Sequence, residues 1–295
     1  MAPRTLTQIL PALPVKMGSI ELLQPIPSNR VDRIGPFLLL HHFGPIQHEP
    51  GRNPMDIGAH PHRGFEPVSF MFQGELHHKD SRGNEGKVGP GGVQWMTAGM
   101  GIVHSESASK EVIESGGVLE GIQLWINLPA KDKMVQPAYS NWKPHDLPVI
   151  GGAGWTGLLT AGGLTIFEND QYDFEGPQKL HHDVVAATLD VQPNAKVSLG
   201  INEEHDILLY LLDGGVIVPS EEGEKVVSGP NMLHFGPGNE EFQFRATQAT
   251  RALLLSGAPL DEPVASHGPF VMNTQTQIME AMRDYQMGKM GVLTD

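Results

Sequence analysis

Turn-forming residues interrupt this chain too often for long helices to dominate it. The 35 glycines and 24 prolines are spread through 295 residues, and each is costly inside a helix and at home in a turn. Short apolar runs lie between them, few at helical spacing. Residues 68–76 read as a strand followed by the turn Ser81-Arg82-Gly83-Asn84, and residues 207–212 as a strand ended by Asp213-Gly214-Gly215. Further runs at 117–128, 184–189, 197–201 and 252–255 fall at intervals suited to a sandwich or small barrel. The expected fold class is all-β. One segment reads as a helix, 274–287, where Ile278, Met282 and Tyr285 fall at i, i+4 and i+7 and Gly288 and Gly291 supply a stop. Its expected place is across a barrel, as a lid or seam.

Residues 136–148 hold three prolines among polar residues, the composition of a short linker. A boundary near Tyr139 divides the chain into residues 1–138 and 139–295. The halves echo one another. Residues 65–76 followed by Val88-Gly89-Pro90-Gly91-Gly92 resemble residues 205–216 followed by Val227-Ser228-Gly229-Pro230-Asn231, which suggests two copies of one β-barrel. Charge separates the copies. Residues 1–140 carry 12 basic and 13 acidic side chains and residues 141–295 carry 8 and 21, giving −14 overall. Such a surface disfavours nucleic acid and anionic membranes, and the acidity of the second half reads first as a solvated face.

The absence of cysteine removes disulfides, thiolate metal sites and cysteine nucleophiles together. No apolar run approaches the roughly 20 residues of a membrane helix. The apolar patch at 9–15 is broken by two prolines and preceded by one basic residue, Arg4, so a secretory signal is not expected and the cytoplasm is. Gly151-Gly152-Ala153-Gly154 and Gly214-Gly215 read as turns, and no Gly-x-Ser-x-Gly element is present, which disfavours a serine hydrolase.

Among 14 histidines, His60-Pro61-His62 is the only His-x-His and His104-Ser105-Glu106 the only His-x-Glu. On strands, positions i and i+2 share a face, so two such strands can bring four metal ligands together. Composition alone yields about 0.7 His-x-His by chance, so the pair matters only in its surroundings. These are Gly58-Ala59-His60-Pro61-His62-Arg63-Gly64-Phe65-Glu66, then His78-Lys79-Asp80-Ser81 and Gly83-Asn84, then residues 89–99, and at the far end Gly268-Pro269-Phe270-Val271-Met272-Asn273-Thr274 and Asp284-Tyr285.

Those stretches strongly resemble the pirin family of the cupin superfamily. The resemblance implies a bicupin, two β-sandwich barrels packed face to face with a short C-terminal helix, holding a metal in the first barrel only. It places the family's three imidazoles and one carboxylate on His60, His62, His104 and Glu106. Pro67 and the pair His41-His42 depart from the family pattern, and the pair leaves the nearby pocket wall open. Glu66 matches the glutamate of the general cupin motif, but Glu106 is preferred because it shares a strand face with His104.

Three imidazoles and a carboxylate leave two positions of an octahedron open, an arrangement suited to Fe(II) and oxygen chemistry. Mn, Co, Ni, Cu and Zn accept the same donors. Since a ligating imidazole must be neutral, metal loss is expected below about pH 6. His77 and His78 are adjacent and must face opposite ways, as must His181 and His182. His78 reads as structural, with a possible orienting bond through Asp80. His205 and His234 lack neighbours at ligand spacing, so no second metal site is expected. Met55, Met71, Met96 and Met100 read as core. The pocket wall is expected from Phe70, Met71, Phe72 and Trp95 or their opposite-facing neighbours, since only half of these can face inward.

The resemblance implies a metal-dependent dioxygenase acting on a flavonol such as quercetin with O2, with Glu106 as the base. Its rival is a non-catalytic, iron-dependent redox-sensing or regulatory protein that binds a protein partner; a cupin isomerase or decarboxylase is a third reading. The chain is expected to be a monomer with no direct nucleic-acid or membrane contact.

Overall fold

A computed structural model describes residues 3–167 and 171–293. The chain forms two compact units, one of Met1–Leu13, Ser28–Gly35 and His145–Pro259, the other of Pro14–Pro27, Pro36–Pro144 and Leu260–Asp295. A single cut at 138 therefore does not describe them, because each unit takes a terminal segment from the far end of the chain. Residues 136–148 are also more than a linker. Ala138–Trp142 is a strand that pairs antiparallel with Val93–Thr97, so the prolines flank an edge strand.

The second-half unit is a sandwich of a seven-stranded and a six-stranded sheet. In the seven-stranded sheet Asp206–Asp213 lies between Asn231–Phe235 and Thr250–Gly257, and the N-terminal strand Gln8–Pro11 forms an edge by pairing with Asn231–Phe235. The core of this unit is apolar, with Leu209, Leu211, Val216, Phe235, Phe242 and Leu254 among its fully buried members.

The first-half unit has a seven-stranded sheet ordered Ala138–Trp142, Val93–Thr97, Phe65–Gln73, Gly117–Asn127, Phe37–His48, Ile20–Ile26, Leu13–Met17. Its second sheet has four strands, ordered Asp56–His62, Ile102–Ala108, Leu76–Asp80, Glu85–Val88. The run expected as one strand over 68–76 is broken. Phe65–Gln73 ends at Gly74, whose φ of +72° suits glycine and where a Cβ would stand 2.8 Å from the Val118 carbonyl. A short helix, Lys110–Ser115, capped by Ser109, lies where none was expected.

The expected late helix is present at Gln275–Gln286, opened by a capping box of Thr274 and Gln277. Its buried residues are Ile278 and Ala281, while Met282 and Tyr285, expected on the same buried face, are 38% and 39% exposed. The helix is not a lid over an opening. With the hairpin Ala265–His267/Phe270–Met272 it covers the outer face of the four-stranded sheet, where Ala265, Phe270, Met272, Ile278, Ala281 and Met290 cluster with Val103. Among the described residues no helix is long and apolar enough to cross a membrane.

Candidate metal centre

Asp56–His62 and Ile102–Ala108 pair antiparallel with His60 opposite His104 and His62 opposite Ile102. Period two then turns His60, His62 and His104 to one face, and Val103 to the other. One ring nitrogen from each of the three lies within 4.8 Å of the others. On its other side Ile102–Ala108 pairs with Leu76–Asp80, which sets His104 opposite Asp80 and Glu106 opposite His78. A register shift between His104 and Glu106 against Asp56–His62 separates the carboxylate from the first pair of imidazoles. Glu106 falls instead in a second ligating group with His78 and His104. The two groups share His104.

The three imidazoles of the triad differ in their partners. His60 Nδ1 lies 2.8 Å from the Gly58 carbonyl, so it carries the proton and Nε2 is free to donate a lone pair. His62 Nε2 faces His60 Nε2 at 3.1 Å, and its Nδ1 is buried with no hydrogen-bond partner. His104 Nδ1 lies 3.4 Å from His78 Nδ1, and His78 Nε2 is 3.4 Å from Asp80 Oδ2. If His78 donates to Asp80 it accepts from His104, which leaves His104 Nε2 unprotonated. That atom is buried with no partner.

These nitrogens fit a metal ion. Two neighbouring nitrogens on an ion with metal–nitrogen distances of about 2.1 Å stand about 3 Å apart, the spacing of the His60 and His62 Nε2 atoms. Burial holds His62 and His104 well below the ordinary imidazole pKa, and the neighbouring imidazoles add to the effect. The site is thus built to be neutral and ready to donate.

Glu106 is 3% exposed and held by neutral donors. Its Oε1 accepts from Gln94 Nε2 at 2.9 Å and, weakly, from Ser69 Oγ at 3.5 Å; its Oε2 accepts from Gln123 Nε2 at 2.9 Å. Tyr139 stacks on His78 with ring centroids 4.6 Å apart and donates to Gln94 Oε1 at 3.4 Å, turning the amide toward Glu106. Asp80 is pushed up by burial, but bonds from His78, Asn84 and Arg82 outweigh this and bring its pKa below the ordinary value. Glu66 belongs to neither ligating group. It accepts from Thr97 Oγ1 at 2.6 Å, and burial pushes its carboxyl up to about 7.

A pocket with room for about one water lies beside Glu106, lined by Met17, Leu22, His41, Phe43, Met55, Ile57, Ser69, Leu76 and Gln123. Phe70, Met71 and Trp95 are at most 1% exposed and fill the core, while Ser69, the opposite-facing neighbour of Phe70, lines the pocket. Met55, expected as core, is buried yet reaches the pocket. His41 edges the same pocket, with Nε2 2.6 Å from Gln24 Oε1, and burial lowers its pKa to about 4. Of the adjacent histidines, His78 is fully buried beside His104, and His77 faces out to Glu85 at 2.8 Å. The positions of Gln94, Gln123 and Ser69 carry no sequence signal beyond alternation on their strands.

In the second-half unit His234 pairs with Asp206 at 2.7 Å, and His205 Nδ1 meets Ser256 Oγ at 2.9 Å. Both histidines have structural partners that spacing did not reveal.

Comparison with known proteins agrees with this architecture. Residues 20–126 match the Pirin family model and residues 186–291 the Pirin C-terminal cupin domain. A Pseudomonas aeruginosa protein bearing the provisional name quercetin 2,3-dioxygenase is 37% identical over 93% of this chain and 93% of its own. A pirin-like protein of Solanum lycopersicum is 35% identical over 88% of this chain and 84% of its own. The crystal structure of a quercetin 2,3-dioxygenase from Acinetobacter baumannii superposes with a TM-score of 0.88 at 33% identity, covering 99% of this chain and 100% of that one. Two cupin sandwiches, a cluster of imidazoles in the first and family matches in both halves place this chain in the pirin family.

Proposed function

We propose that this chain is a metal-dependent dioxygenase that cleaves a flavonol such as quercetin with O2, holding one divalent ion, Fe(II) by preference, on His60, His62, His104 and Glu106. The observation that carries the proposal is the convergence of three imidazoles, two of them kept neutral by burial, with Glu106 grouped beside His104. The names of the relatives support the substrate class. A bound ion supplies Lewis acidity for the substrate's hydroxyl and carbonyl oxygens and a redox partner for O2.

The chain's own groups bind, orient and deprotonate. Leu22, Phe43, Met55, Ile57 and Leu76 pack beside Glu106 and keep its surroundings apolar. A carboxylate has about four acceptor sites, and Glu106 has bonds from Gln94, Ser69 and Gln123. The remaining site can take the ion or, once Glu106 detaches from it, the flavonol hydroxyl proton, and the two glutamine amides keep the carboxylate aimed. His41, neutral above about pH 4, adds a polar but uncharged edge to these surroundings without competing for the ion.

The test is oxygen uptake with quercetin by Fe(II)-loaded protein, compared with a His62→Ala variant. Turnover in the first and a loss of at least 100-fold in the second are expected. Tight metal retention with no oxygen uptake across several flavonols and metals sinks the enzymatic reading in favour of a metal-dependent interaction protein.

A further inference from the structure

His62 is the triad member that ends its strand, and the backbone just beyond it is fastened to the far end of the chain. The residues just after His62 are welded to residues 269–272. Arg63 N donates to Pro269 O at 3.4 Å, and Val271 N donates to Arg63 O at 3.0 Å. Arg63 is 4% exposed; its Nη1 and Nη2 both reach Asp284 Oδ2 at 3.1 Å, and its Nε donates to Met100 O at 2.7 Å. Asp284 sits on the helix Gln275–Gln286. Gly64, with φ +87°, lies so close that a Cβ would collide with the Val271 carbonyl.

A second fastener sits beside the first. The Lys133 ammonium is 1% exposed and donates to Gly64 O at 2.8 Å, Asn127 Oδ1 at 2.7 Å and Val271 O at 3.1 Å. All three of its protons are used, which keeps a buried cation tolerable. Arg63 therefore ties the residue after His62 to the helix, and Lys133 ties Gly64 to the hairpin. That is more polar hardware than covering Val103 requires, since the apolar cluster around it already does so.

We infer that the C-terminal hairpin and helix form a positioning element of the metal centre: Arg63–Asp284, the two backbone bonds of Arg63 to residues 269 and 271, and Lys133 fix the strand end from which His62 projects. The inference rests on the proposed metal site. Loss of an outer group that holds a ligating side chain in place typically costs about 10–100-fold in metal affinity. Asp284 and Arg63 are accordingly positioning residues that act through His62.

The experiment measures Co(II) affinity by chelator competition, the Co(II) absorption spectrum and the thermal midpoint of the metal-free full-length protein. Asp284→Ala is expected to weaken binding about 10–100-fold and to alter the spectrum while the chain stays folded by circular dichroism. Asp284→Glu, which keeps the charge, should restore most of the affinity, and Met279→Ala, at a 70% exposed position on the same helix, should change neither quantity. Should Asp284→Ala fail to fold, Arg63→Lys carries the test, because it keeps the charge and loses the two-pronged grip; weaker binding and a changed spectrum are again expected. Wild-type affinity and spectrum in a folded clamp variant, beside a His62→Ala chain that has lost the metal, overturn this inference alone. A His62→Ala chain that keeps wild-type affinity overturns the metal site and this inference together.

Discussion

The two barrels share an architecture and differ in what fills them. In the second-half unit the strand Asp206–Asp213 buries Ile207 through Leu212, and the core around it is aliphatic and aromatic. The first-half unit buries His62, His78, His104 and Glu106 at 3% exposure or less, together with Gln94, Ser69 and Asp80. Burying that many polar groups costs stability unless each is bonded. Here the bonds run from Asp80 through His78 to His104 and from Gln94 and Gln123 to Glu106. The difference teaches that the cupin sandwich is indifferent to chemistry, and that a site appears only where polar side chains bring their own partners.

Three changes sharpen or break that contrast. The largest effect is expected from His104→Leu, which puts an aliphatic side chain where the second unit would have one. Metal affinity, measured by equilibrium dialysis and metal analysis, should fall by more than the roughly 100-fold that loss of an outer partner costs, while the fold persists. Unchanged affinity would place the ion elsewhere.

Next comes Glu66→Gln. The folded carboxyl titrates at about 7 against an ordinary 4.5, so the folded state binds the proton more tightly than the unfolded state. The stability this group contributes is complete below pH 4.5, is lost as pH rises to about 7, and is absent above that. The loss amounts to about 3 kcal/mol. Gln cannot titrate, so urea unfolding of the variant should lack this slope and show higher stability than the parent at pH 8. Its metal affinity should match the parent, which is the outcome expected if Glu106 rather than Glu66 is the carboxylate ligand.

The smallest effect is a displaced pH of metal release. The sequence alone suggests release below about pH 6, near the free imidazole value. Burial holds His62 and His104 well below that, so protons compete for them only at lower pH and half-release should fall below pH 6. The metal-free protein carries the same signature. Stability from these two groups is present above pH 6.5 and lost as pH falls beneath it, because the unfolded imidazoles take up protons first. Release at or above pH 6.5 would contradict the buried triad.

Much of this was legible without coordinates. Glycine and proline spacing pointed to strands, the echo between residues 65–76 and 205–216 pointed to duplication, and period two turned His60 with His62 and His104 with Glu106 toward common faces. Local rules missed what depended on distant neighbours. Ala138–Trp142 was hidden by flanking prolines because its status as a strand rests on pairing with Val93–Thr97. His78 looked structural because alternation cannot say which of two adjacent histidines faces in. Which face lines the pocket stayed open because periodicity cannot separate a lining residue from a filling one; Phe70 and Trp95 fill the core and Ser69 lines the pocket.

By itself, then, the chain's order of residues determined the strand content, the repeat and the two short motifs that aim candidate ligands inward, since each follows from contacts within a few residues. Tertiary structure alone decided that Glu106 sits with His78 as well as His104, that Gln94 and Gln123 hold it, and that Asp284 and residues 269–271 hold Arg63 next to His62. Hydrogen-bond partners some 200 residues apart leave no local pattern, because what joins them is the packing of a C-terminal hairpin and helix onto the outer face of a sheet.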